Sequence, residues 1–62
     1  MEKFIYVFDS AARDQLIQAG LTMLKADEES CVWIFLREDA ERLGFDYGAA
    51  GFAYVLSNTL TF

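Results

Sequence analysis

Two segments of this chain are apolar at every residue, and that limits the fold more than any other feature. Phe4-Ile-Tyr-Val-Phe8 and Cys31-Val-Trp-Ile-Phe-Leu36 are rich in β-branched and aromatic residues and have the length of strands. Side chains alternate across a strand, so Phe4, Tyr6 and Phe8 share one face and Ile5 and Val7 the other. Cys31, Trp33 and Phe35 oppose Val32, Ile34 and Leu36 in the same way. A sheet with one wetted face alternates apolar and polar residues. These two strands do not, so both of their faces require cover.

The rest of the sequence supplies little helix to provide it. Asp9-Ser10 stops the first strand and offers a cap. Ala12, Leu16 and Ala19 then recur at helical spacing with Ile17 beside them, while Arg13, Asp14, Gln15 and Gln18 take the wet side. Gly20 suits the left-handed residue that closes a helix, which ends the element near residue 19. Leu21 to Lys25 reads as a strand, joined to the one at 31–36 by the polar turn Asp27-Glu28-Glu29-Ser30. Glu38 to Leu43, followed by Gly44, has the residues for one or two helical turns, and 45–51 reads as loop. From Phe52 onward Phe52, Tyr54, Leu56, Leu60 and Phe62 share one parity, and Asn58 among them marks a bend or a wet edge. The order is strand, helix, strand, strand, short helix, strand. That predicts one α+β domain over 1–62, with a mostly antiparallel sheet of about four strands and one packed helix.

Sixty-two residues hide only about 60% of the surface of the unfolded chain, so small domains commonly need a staple. Cys31 is the only cysteine and has no disulfide partner within the chain, and without histidine a structural zinc has too few suitable ligands. A dense core or a second subunit remains. A bare apolar face marks an interaction site, and closed two-fold pairing is the commonest oligomer. The expectation is therefore a homo-oligomer, a dimer in the first place, with Phe4, Tyr6, Phe8, Trp33, Phe35, Tyr54 and Phe62 as interface candidates.

Charge narrows the partner classes. Ten carboxylates face five cations that stand singly at Lys3, Arg13, Lys25, Arg37 and Arg42, for a net charge of -5. Direct nucleic-acid binding needs clustered Lys and Arg, and anionic membranes repel such a chain. The five apolar residues after Lys3 are too few for a secretory leader core, and no stretch is long and apolar enough for a membrane span. With a lone thiol, this places the chain in the cytoplasm.

Catalysis lacks its usual parts: there is no histidine, and Ser10, Ser30 and Ser57 have no evident base. Cys31 at the head of an apolar strand reads as a small core hydrophobe. Asp27, Glu28 and Glu29, and Glu38, Asp39 and Glu41, form two acidic clusters. Neither has the alternating Asp/Asn ligands and central Gly of a calcium loop, so no metal and no cofactor is expected. Gly48-Ala-Ala-Gly51 has no cation within five residues to hold a phosphate and reads as a turn.

Phe-Ile-Tyr-Val-Phe-Asp at 4–9, Arg13-Asp14-x-Leu16, Gly20-Leu21-x-Met23-Leu24-Lys25, Val32-Trp-Ile-Phe-Leu36 and the closing segment 54–62 resemble small uncharacterised proteins of phages and integrative elements of Gram-positive bacteria. The resemblance implies a short strand and helix paired with a hairpin and a mobile-element origin, and it carries no activity or site. Two functional readings follow from the residues. One is a non-enzymatic interaction protein that self-associates through apolar sheet surface. The other is an acidic inhibitor whose carboxylates occupy the basic groove of a host nucleic-acid enzyme.

Overall fold

A computed structural model describes residues 2–59. Its elements follow the expected order: β1 (Phe4–Val7), α1 (Ser10–Ala19), β2 (Met23–Asp27), β3 (Val32–Leu36), α2 (Arg37–Leu43) and β4 (Tyr54–Ser57). The strands form one sheet in the order β2-β3-β1-β4, every neighbouring pair antiparallel. The small α+β fold read from the sequence is therefore the one observed. β1 and β2, joined through α1, run the same way but are separated by β3.

β1 and β3 are central because they alone tolerate burial along their length. In their register Ile5 lies opposite Phe35 and Val7 opposite Trp33, and on the other side of β1 the same two residues meet Leu56 and Tyr54. Ala12 and Leu16 of α1 and Ala40 of α2 cap these pairs, forming a cluster with Leu21 in which Ile5, Val7, Leu16 and Phe35 are fully buried. Arg13 closes the rim. Its guanidinium lies 4.9 Å from the ring centroid of Trp33, so a residue assigned to the wet side of α1 shields the indole.

Both helices end by the same device. The amide of Gly20 donates to the carbonyl of Ile17 (3.0 Å) and that of Leu21 to Leu16 (3.1 Å); Gly44 donates to Glu41 (3.2 Å) and Phe45 to Ala40 (2.9 Å). Each glycine takes a positive φ, 101° and 69°, and the apolar residue after it packs on the core. This explains why β2 starts later than the sequence suggested: the Leu21 amide belongs to the helix closure, and the Thr22 amide donates to Asp39. At the other end of α1, Asp9 Oδ1 accepts from the Ala11 amide at 2.9 Å.

Two further expectations change with the structure. Cys31 is neither in a strand nor in the core: it is exposed at φ 54° in the β2–β3 turn, which shifts to residues 28–31. Phe8 lies beyond the end of β1 and is 44% exposed, because the chain already turns at Asp9 to start α1. β4 stops at Ser57, with a bend at Asn58 that matches one of the two readings of that residue; Leu60 and Phe62 lie outside the described residues. Among the described residues no helix is long and apolar enough to cross a membrane.

Because Phe35 is fully buried between its neighbours, Phe35→Ala is expected to cost about 3–5 kcal/mol, read as a lowered urea midpoint. Val55→Ala, at a half-exposed position on β4, is expected to stay within about 0.5 kcal/mol of the wild type in the same measurement.

Candidate functional site

The sheet has one heavily built side and one sparse side. α1, α2 and the 44–53 connection all pack on the face of Ile5, Val7, Trp33 and Phe35; within the connection Phe45, Tyr47 and Phe52 lie against the core. Tyr47 meets Tyr54 edge to face at 4.9 Å between centroids, and Phe52 meets the same ring at 6.3 Å. The second helix and the loop, either of which could have roofed the second face, thus reinforce the first.

The opposite face is built from Phe4 and Tyr6 of β1, Val32, Ile34 and Leu36 of β3, and Val55 of β4. Phe4 lies across from Leu36, and Tyr6 from Ile34 and Val55. Ile34 is fully buried at the centre. Phe4, Tyr6, Val32 and Leu36 are half-buried, and Val55 on the β4 side is 50% exposed. Towards β2 the face turns charged, where Lys25 lies opposite Ile34 and Asp27 opposite Val32. The Tyr6 hydroxyl donates to the Thr59 carbonyl, and Ser57 Oγ accepts from the Thr59 amide at 3.1 Å, so the bend after β4 closes over Tyr6.

The candidate interface residues therefore separate. Phe4 and Tyr6 share the sparse face, and Phe8 lies past the end of β1, exposed. Trp33 and Phe35 turn inward under α1, with 4% and 0% exposure, and are withdrawn as interface residues. Tyr54 packs on the core, and Phe62 lies outside the described residues. Val55 was not singled out, yet among the described residues it is the most exposed large apolar side chain. Its parity, opposite to that of Tyr54 and Leu56, was the available signal.

The acidic residues also differ in role. Asp39 is 8% exposed and is an internal clamp: Oδ1 accepts from Arg42 at 2.9 Å and Oδ2 from the Thr22 amide at 3.1 Å. It ties α2 to the segment entering β2 and is withdrawn from the acidic surface. Asp27 Oδ1 accepts from the Ser30 amide at 3.2 Å, which shapes the hairpin turn. Glu28 approaches Arg13 at 4.0 Å and Glu41 approaches Arg37 at 3.6 Å; Glu29 and Glu38 are exposed.

Arg37 is a second tether. Its Nε donates to the Tyr47 hydroxyl at 3.1 Å and its Nη1 to the Glu2 carbonyl at 3.3 Å, binding residues before β1 and the 44–53 connection to the start of α2. A cavity of about 470 Å³ opens alongside, lined by Glu2, Lys3, Leu36, Arg37, Glu38 and Glu41. Its central cation is engaged within the chain. Asp46 Oδ1 accepts from the Ala49 amide at 3.1 Å, which caps a turn over 46–49 that takes in Gly48. Among the described residues no three acidic or thiol side chains converge to hold a metal ion.

The chain matches no protein-family model, no curated protein and no solved structure.

Arg42, and then the Thr22 amide, hold the Asp39 carboxyl below the usual aspartate value. A depressed folded-state value gives stability that is complete above the unfolded value, about pH 4, and is lost as pH falls through the lowered one. Asp39→Asn is expected to melt at a lower temperature at pH 7 and to show a flatter decline in melting temperature than wild type below about pH 4, measured by circular dichroism.

Proposed function

We propose that the chain is a non-enzymatic interaction protein that self-associates through the sparse sheet face and its β4 margin. The observation that supports this is the placement of both helices and the 44–53 connection on one side of the sheet. α1, α2 and the 44–53 connection bury the Trp33/Phe35 side, while Phe4, Tyr6, Leu36 and Val55 on the other side keep apolar surface in water. Contiguous apolar surface of this kind characterises protein interaction sites, and closed pairs are the usual outcome for a single chain type. The resemblance to small mobile-element proteins adds no activity.

The acidic-inhibitor reading draws less support. Asp39 is committed internally, and Glu28 and Glu41 face arginines of the same chain. The other exposed carboxylates are distributed over the residues before β1, α1 and its cap, the β2–β3 turn, α2 and the 44–53 connection.

The two readings respond oppositely to salt. Copies carrying a net charge of -5 repel one another, and salt screens that repulsion while leaving apolar burial intact. Light scattering on a sizing column at micromolar to millimolar protein is expected to show a concentration-dependent mass approaching twice the 7.0 kDa of the chain. The associated fraction should rise between 0.05 and 0.5 M sodium chloride, on the order of a Debye length shortened threefold. A mass fixed at that of one chain, at every concentration and salt, overturns the reading.

A further inference from the structure

The two margins of the sheet are built differently. At β2 the pairing with β3 shifts between Met23 and Lys25, leaving Leu24 as an extra residue, and the strand carries Lys25 and Asp27. A bulge and charges on an edge strand are devices that block pairing with another chain. β4 has neither. Tyr54-Val-Leu-Ser57 pairs with β1 in unbroken register and carries no charge, and no described strand lies on its outer side. It sits within a stretch, Tyr47 to Phe62, that holds no charged residue at all. For two copies of a chain with a net charge of -5, this margin is where approach brings no carboxylates together.

We infer that β4 pairs antiparallel with β4 of a second copy, about a two-fold axis passing through Val55, to join two sheets into one of eight strands. This rests on the self-association reading and specifies its geometry. Residues directly opposite in an antiparallel pair share a face, and Tyr54 and Leu56 point to the core side while Val55 points to the sparse side. A two-fold set between residues would oppose side chains of unlike faces, so the axis must pass through a residue. At Val55 it pairs Val55 with its copy, Tyr54 with Leu56 of the copy, and Ser57 with Ala53. At Leu56 it would bring Asn58, in the bend, opposite Tyr54. The Val55 axis sets Ser57 against Ala53, just ahead of the strand, instead of a bend residue against Tyr54, and gives each half-exposed valine an apolar partner.

Cross-linking reads the register directly. In a Cys31→Ser background, Val55→Cys places two thiols on directly opposed residues, with Cα atoms about 4.5–5.5 Å apart, inside the range a disulfide spans. Ser57→Cys places them about 14 Å apart, four strand residues away. Under mild oxidation Val55→Cys is expected to form covalent dimer at least tenfold faster than Ser57→Cys. The exposed native Cys31, at the far margin of the sheet, gives the background rate. Circular dichroism of each variant verifies that it is folded. If the wild type associates by light scattering but Val55→Cys cross-links no faster than Ser57→Cys or native Cys31, this geometry is wrong while self-association stands. If the wild type stays a single chain throughout, both fall.

Discussion

Burial of the Ile5–Phe35 and Val7–Trp33 pairs beneath Ala12 and Leu16 is the interaction on which the rest of the molecule depends. Fully hiding an aliphatic or aromatic side chain contributes about 1.5–3 kcal/mol, and a chain of this length has few such residues to use. The available helix is therefore gathered on one face. Two short helices and an aromatic connection, spread over both sides of the sheet, would leave two incomplete cores. Concentrated on one, they close it with Arg13 across the rim of Trp33.

Small tethers hold that layer in place. Asp39 links α2 to the backbone at Thr22, and Arg37 links the same helix to Glu2 and Tyr47. The two glycine closures reinforce them, since each directs its next residue, Leu21 or Phe45, back onto the core. α2 is only seven residues long and has little stability of its own. Its position comes from these side-chain bonds and from Ala40 in the core.

Much of this was legible because local signals agreed with one another. Strand composition, a cap at Asp9 or Ser10 and the glycines at 20 and 44 fixed the element order and fold class. What escaped reading was set by contacts between distant segments. Leu21 has strand chemistry, yet its amide belongs to the closure of α1, which delays β2. Cys31 continues an apolar run, yet the hairpin needs a left-handed residue there. Asp39 looks like one of three solvated acids on a short helix, and only its partner at Thr22, 17 residues away, makes it internal. The candidate site was half legible: two apolar faces could be counted, but which face the helices would choose could not. Trp33 and Phe35 were consequently assigned to an interface when their place was the core, and Val55 was passed over.

The extra residue at Leu24 bears on how the chain behaves when crowded. A flat sheet bare at both margins is a template that lengthens by accretion, each added copy presenting a fresh margin to the next. Here the ladder is dislocated at one margin, beside a lysine and an aspartate, so propagation past that side is obstructed. In a chain so rich in strand-forming segments, that dislocated edge works against open-ended growth from the β2 side.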